Sequence, residues 1–258
     1  MPVPKNHLKA ALAAKTPQIG IWLSLASAYS SELLADVGFD WLLIDAEHGP
    51  NDIPTILSQA QTIGLRSNVV VRPPMGEAWI IKQILDLGVQ TLLVPMIESV
   101  AQAKSVIAAT LYPPKGIRGV GAGSARASNF GRMADYVTAA NDQICLILQV
   151  ESRAGLVALP GILGLDDVDC VFVGPADLAA DMGYPGNSAA PAVQAAIDNA
   201  LRKIVASGKA AGVLTFDPAA VPHYLKLGVT FVGVGSDVAL LAKAATTLAV
   251  QMKALAGT

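Results

Sequence analysis

The sequence predicts an α/β fold of the (β/α)8 TIM-barrel class, and three observations predict it. Eight short runs rich in β-forming residues recur along 258 residues, helical stretches fill the gaps, and most of the runs are continuously apolar, as strands buried on both faces must be. The runs span residues 18–25, 41–48, 68–73, 91–97, 144–151, 170–177, 211–216 and 230–237. Helices are expected over 30–37, 78–87, 193–207 and 218–227. Each ends just before a glycine (Gly38, Gly88, Gly208, Gly228) suited to a left-handed cap and a short loop into the next strand. An open doubly wound sheet would leave the even spacing and the eighth unit unexplained. A single barrel domain over 1–258 follows.

Two features break this rhythm. Residues 112–132, YPPKGIRGVGAGSARASNFGR, are rich in Gly, Pro and Ser and are expected to form a long loop on the side of the barrel where strands end. The last helix, 238–255, carries an apolar stripe of Leu241, Ala245, Leu248, Met252 and Leu255. It either closes the barrel or packs on a neighbouring subunit.

Composition excludes several classes. Hydrophobic residues make up 53% and charged residues 15%, with a mean hydropathy of +0.49, yet no unbroken apolar stretch has the length of a membrane span. The net charge of −2 without like-charge blocks gives no electrostatic footprint for nucleic acid. Cys145 and Cys170, each followed by an apolar run, read as buried thiols, and the N-terminal segment lacks a signal core. A cytoplasmic protein without nucleic-acid or membrane partners is expected.

In such barrels chemistry sits where strands end. The polar residues there are Asp45, Glu47, His48, Arg72, Gln149, Glu151, Asp177 and Asp237. Glu151 and Asp177 converge on one mouth, so either a hard divalent cation bridges them or an arginine, Arg153 or Arg72, pairs them. His48 in DAEHGP suits a general base near neutral pH, a third metal ligand or a satisfied core histidine. Asp45 and Asp86 are candidates to orient it, although Asp86 on a helix also reads as a solvated acid. Arg72, between VVV and PP, suits an anionic substrate or a developing oxyanion; otherwise it partners Glu47 or Glu151. None of the eleven lysines ends an inner strand, so a Schiff-base mechanism lacks its nucleophile. The GVGAG of 119–123 does not follow a strand and is no dinucleotide fingerprint, and GVGSD at 233–237 reads as a tight strand-to-loop turn.

The motifs GFDWLLIDAEHGP, VVVRP, QTLLVPM, YPPKGIRGVG, QVES and VFVGPADLAADMGY, in this order and spacing, resemble the HpcH/HpaI family of metal-dependent class II pyruvate aldolases over nearly the whole chain. The resemblance implies Glu151 and Asp177 as metal ligands and His48 as the base, with Asp86 raising its basicity. It implies Arg72 as transition-state stabiliser, and Gln149, Gly174, Ala176, Asp177, Asp45, Leu214 and Arg72 around the 2-oxo acid. It implies Mg2+, Mn2+ or Co2+ and no nucleotide. The implied reaction is reversible cleavage of 4-hydroxy-2-oxo acids, such as 4-hydroxy-2-oxoheptanedioate of aromatic catabolism, to pyruvate and an aldehyde, with hydroxypyruvate as a possible nucleophile. Aldolases of 2-keto-3-deoxy sugar acids and acyl-CoA ester lyases are the alternatives. The family assembly, a hexamer built as a trimer of dimers, implies a last helix exchanged between subunits.

Overall fold

The computed structural model describes residues 1–257, so the final position of the domain expected over 1–258 lies outside the described residues. In chain order the elements are α1 (His7–Ala13), β1 (Gln18–Leu23), α2 (Ala28–Ala35), β2 (Trp41–Asp45), α3 (Ile53–Ile63), β3 (Asn68–Arg72), α4 (Ala78–Asp86), β4 (Thr91–Val94) and α5 (Val100–Thr110). They continue with α6 (Tyr136–Ala139), β5 (Cys145–Val150), α7 (Arg153–Leu163), β6 (Cys170–Val173), α8 (Pro175–Asp181), α9 (Pro191–Ala206), β7 (Ala210–Leu214), α10 (Val221–Lys226), β8 (Phe231–Ser236) and α11 (Asp237–Ala256). The strands pair in chain order, all parallel, and β8 closes on β1 to complete the expected barrel.

Two cores explain why the strands read as unbroken apolar runs. Successive side chains of a strand point to opposite faces. One set, including Ile21, Leu42, Ile44, Val71, Leu146, Leu148, Val171 and Val232, packs outward against the helices. The other set, including Trp22, Trp41, Leu43, Val70, Ile147, Cys170, Phe172 and Phe231, fills the barrel interior. The interior is aromatic at its centre: Trp41 stacks on Phe231 with ring centroids 4.1 Å apart and meets Trp22 edge-on at 5.4 Å. Gly20 makes room for this, since a Cβ there would lie 2.1 Å from the Trp41 ring. Leu8 and Leu12 of α1 join the interior set and plug the end of the barrel where strands begin. Both cysteines are buried and free, and burial pushes both thiols above their usual range.

Several sequence expectations are corrected. Residues 112–132 follow α5, and helices run back along the strands, so the loop lies where strands begin rather than where they end. There Arg126 donates to the carbonyl of Leu87, just past α4. Strand β2 ends at Asp45, which leaves Glu47 and His48 in the bend that follows. Strand β6 ends at Val173, because Pro175 at the first helical position starts α8, and Asp177 sits in its first turn. The 233–237 glycines are not a turn: Gly233 and Gly235 lie within β8, and Gly233 clears the Trp22 ring. Asp237 caps the junction instead, its carboxylate accepting from the Ser24 and Leu25 N–H groups.

The last helix also differs from the compositional reading. By length and composition α11 could cross a membrane, with a mean hydropathy of 1.3 over its most apolar window, none of it buried. Leu240, Leu241, Leu248, Val250, Met252 and Leu255 are exposed on it, so it does not simply close the barrel.

Candidate active site

The interior parity of each strand carries through to its last inward position, and there the side chains change from apolar to polar. Asp45 ends β2 and Arg72 ends β3, in register with one another. The guanidinium forks onto the carboxylate, Nε donating to Oδ1 at 2.8 Å and Nη2 to Oδ2 at 2.7 Å. Its Nη1 lies 2.9 Å from Glu47 Oε2, an ion pair without hydrogen-bond geometry. Despite burial, which acts the other way, Asp45 holds the Arg72 guanidinium above its usual range. Asp45 Oδ1 also accepts from the N–H groups of Glu47 (3.2 Å) and His48 (3.4 Å), so it shapes the bend that carries the imidazole. The His48 side chain is 65% exposed at the mouth, its Nε2 3.9 Å from Glu47 Oε2.

Across the barrel, Gln149 and Glu151 occupy the inward positions of β5 and the residue after it, and both are buried. Met96 donates its N–H to Glu151 Oε1 at 2.8 Å, and Gln149 Nε2 donates to Oε2. Burial pushes the Glu151 carboxyl up to about 7 against those two hydrogen bonds, and the charges of Asp177 and Glu47 add to the rise. Glu47 is raised for the same first reason, burial, with Arg72 opposing it. Arg153 pairs instead with Asp181 at 3.1 Å, and among the described residues no ion pair reaches Glu151. The mouth thus concentrates carboxylates that Arg72 only partly neutralises.

Of the other expected residues, Gly174, Ala176 and Leu214 line the same end of the barrel, at the close of β6, the start of α8 and the end of β7. Asp86 does not join them. It is the last residue of α4, at the opposite end of the barrel, and its carboxylate accepts from Arg118 Nη2 at 2.9 Å. Within one subunit it cannot orient His48.

The HpcH/HpaI aldolase/citrate lyase family profile matches residues 18–244, the whole barrel from β1 into α11. The chain belongs to the HpcH/HpaI family. It is 53% identical to a 4-hydroxy-2-oxo-heptane-1,7-dioate aldolase of Escherichia coli over 98% of this chain and 97% of the relative. It is 55% identical to a hydroxypyruvate/pyruvate aldolase of Deinococcus radiodurans over 96% of this chain and 90% of the relative. A crystal structure of an HpcH/HpaI aldolase/citrate lyase family protein from Burkholderia cenocepacia superposes with a TM-score of 0.93 at 39% identity, covering 96% of this chain and all of that one.

HpcH/HpaI proteins are metal-dependent aldolases and lyases, and the donors in this mouth fit a hard divalent ion. Among the described residues no three His, Cys, Asp or Glu side chains form a ligating group, so a cage made wholly of protein is not on offer. What the mouth does have is two carboxylates, Glu151 and Asp177, together with the buried acceptors Gln149 Oε1 and Glu47 Oε2, which lack hydrogen-bond partners. Oxygen donors of this kind, completed by water and substrate, are what Mg2+-like ions favour.

Gly174 fixes the second wall of this cradle. A Cβ there would lie 2.5 Å from Glu151 Oε2 and 2.8 Å from Glu151 Cβ, so Gly174→Ala displaces the carboxylate. Divalent-ion affinity measured by titration calorimetry is expected to fall about tenfold or more. An unchanged affinity would remove Glu151 from the residues that hold the ion.

Two residues at the site escape sequence reasoning. Met96, beyond β4, adopts φ +58°, a left-handed conformation unusual for methionine, and it is this backbone that aims an N–H at Glu151. Nothing in VPMIES announces it. Trp22 lies on an inward position of β1, tilted against Phe172 in the interior cluster that Leu214 packs on, and its buried indole N–H has no partner. The period-two pattern of QIGIWL could have placed it.

Proposed function

We propose that the protein is a divalent-metal-dependent aldolase that reversibly cleaves 4-hydroxy-2-oxo acids to pyruvate and an aldehyde. The observation that carries the reading is the buried Glu151, raised to about 7 beside oxygen acceptors that lack hydrogen-bond partners, facing the Arg72 fork in one barrel mouth. Glu151 and Asp177 would hold the ion, Mg2+, Mn2+ or Co2+. When bound it supplies Lewis-acid polarisation of the substrate's keto oxygen.

The chain's own residues do the rest. His48, exposed at the mouth, takes the proton of the C4 hydroxyl. The C3–C4 bond breaks, its electron pair forms the enolate of pyruvate, the aldehyde leaves, and a proton delivered to C3 from His48 or water completes pyruvate. Arg72 is pre-aligned by Asp45, so its remaining N–H bonds are directed at the oxygen where charge develops without reorganisation. The first turn of α8, with Gly174, Ala176 and Asp177, together with Gln149, positions the 2-oxo acid, and Leu214 and Trp22 form an apolar floor. Run backwards, the enolate adds to an aldehyde and His48 returns the proton.

Assembly enters the same reading. A 20-residue helix exposing Leu241, Leu248, Met252 and Leu255 supports exchange of α11 between subunits, in a hexamer arranged as a trimer of dimers. Asp86, at the far end of its own barrel, then assists His48 of a neighbouring subunit. The two buried free thiols support a cytoplasmic enzyme.

The nucleophile separates the two kinds of relatives, one named for 4-hydroxy-2-oxo-heptane-1,7-dioate and the other for hydroxypyruvate/pyruvate. The test is a panel of aldehydes, including succinic semialdehyde and hydroxyaldehydes, offered with pyruvate and with hydroxypyruvate. Carbon–carbon bond formation that stops on chelation and returns with a divalent ion is expected. No product from any pair would overturn the reading.

A further inference from the structure

Outside the mouth lies a buried arginine that no step of the proposed reaction uses. Arg118 is fully buried in the 112–132 loop, with its guanidinium carbon 4.3 Å from the centroid of the Tyr112 ring. Its Nη2 donates to Asp86 Oδ1, but its Nε and Nη1 are buried without partners, as is the Tyr112 hydroxyl. A buried cation with two unpartnered nitrogens is poorly explained by stability, since apolar replacements of buried ion pairs are often neutral or stabilising. Asp86 is no easier to explain that way. It is the last residue of α4, at the negative end of the helix dipole, where a carboxylate is disfavoured.

What the arrangement does provide is orientation. Arg118 is itself fixed, because its N–H bonds to the Leu111 carbonyl at 2.9 Å and the neighbouring Ile117 N–H to that of Ala108 at 2.7 Å. It grips Asp86 Oδ1, whereas Oδ2 accepts no hydrogen bond from the described residues and lies 3.6 Å from where a Cβ on Gly121 would stand, on a side chain 27% exposed. Ile117 and Val120 are exposed on the same loop.

We propose that Arg118 is a positioning residue, which holds one oxygen of Asp86 from within so that the other is presented outward in a single orientation. This rests on the reading above, in which Asp86 assists His48 of a neighbouring subunit. The cation sits beneath the acid, not in the mouth that binds the 2-oxo acid, so its loss affects turnover rather than binding.

The test compares Asp86→Asn, Arg118→Gln, Arg118→Lys and the Asp86→Asn/Arg118→Gln double variant as metal-loaded enzymes, with melting temperature and oligomeric state recorded for each. Arg118→Gln is expected to lower kcat by up to about a hundredfold with KM for the 2-oxo acid unchanged. Arg118→Lys recovers part of the loss, and the double variant is no slower than Asp86→Asn alone. Wild-type kcat in Arg118→Gln, or single losses that multiply in the double variant, overturns the inference. Wild-type kcat in Asp86→Asn instead overturns the reading on which it rests. Should Arg118→Gln not assemble, Tyr112→Leu, which withdraws the stacking face and leaves both charges, is read by the same outcomes.

Discussion

Arg72→Ala is expected to lower kcat for cleavage of a 4-hydroxy-2-oxo acid by about a hundredfold or more, while affinity for a divalent ion is retained. Asp45 takes two of the guanidinium's N–H bonds at 2.8 and 2.7 Å, which aligns the group before substrate arrives. A donor fixed in this way acts on charge that develops only in the transition state, so its removal appears in kcat. Glu151 and Asp177, the carboxylates proposed to hold the ion, are carried by other elements and stay in place. The same substitution leaves Asp45 and Glu47 facing each other without their cation, at a cost to stability of about 3–5 kcal/mol. Arg72→Lys separates the two effects, because an ammonium restores the charge but not the fork. Folded Arg72→Lys enzyme with wild-type turnover would remove Arg72 from the chemistry; calorimetric titration with Mn2+ checks the retained affinity.

Glu151→Gln is expected to abolish measurable divalent-ion binding and cleavage together, and to change how stability depends on pH. In the metal-free protein the carboxyl is raised from 4.5 to about 7 by burial. A folded-state pKa above the unfolded value means that stability is greatest below about pH 4.5, falls as pH rises toward 7, and levels off above it. Chelated wild-type enzyme should therefore melt at a lower temperature at pH 8 than at pH 6, and a divalent ion should restore more stability at pH 8. Glu151→Gln, neutral throughout, should lack most of that slope and most of the response to metal. Melting curves at both pH values, with and without Mn2+, check this; an unchanged slope in the variant would assign the pH dependence elsewhere.

The fold was legible because each strand is buried on both faces, so runs such as WLLID and CLILQV carry their own signature regardless of partner. Much of the mouth was legible for a related reason. Inward positions recur every second residue, and the first polar residue on that parity, Asp45 after Leu43 or Arg72 after Val70, marks the end of the packed interior. Composition hid what backbone geometry decides. Pro175 turns the chain into α8 and moves Asp177 from a strand end to a helix start, and Met96 reaches Glu151 only through a left-handed φ. The side of the barrel taken by 112–132 is decided by α5, which carries the chain back to the end where strands begin, and no capping glycine marks the end of that helix in the sequence.

If the Glu151, Asp177 and Arg72 mouth generates the enolate of pyruvate, the pyruvate methyl hydrogens exchange in D2O without any aldehyde present, which NMR follows. Exchange is predicted with a divalent ion, lost on chelation, regained on adding the ion back, and absent in Glu151→Gln and strongly slowed in Arg72→Ala. Exchange that continues undiminished in chelated enzyme, or in Glu151→Gln, would contradict it.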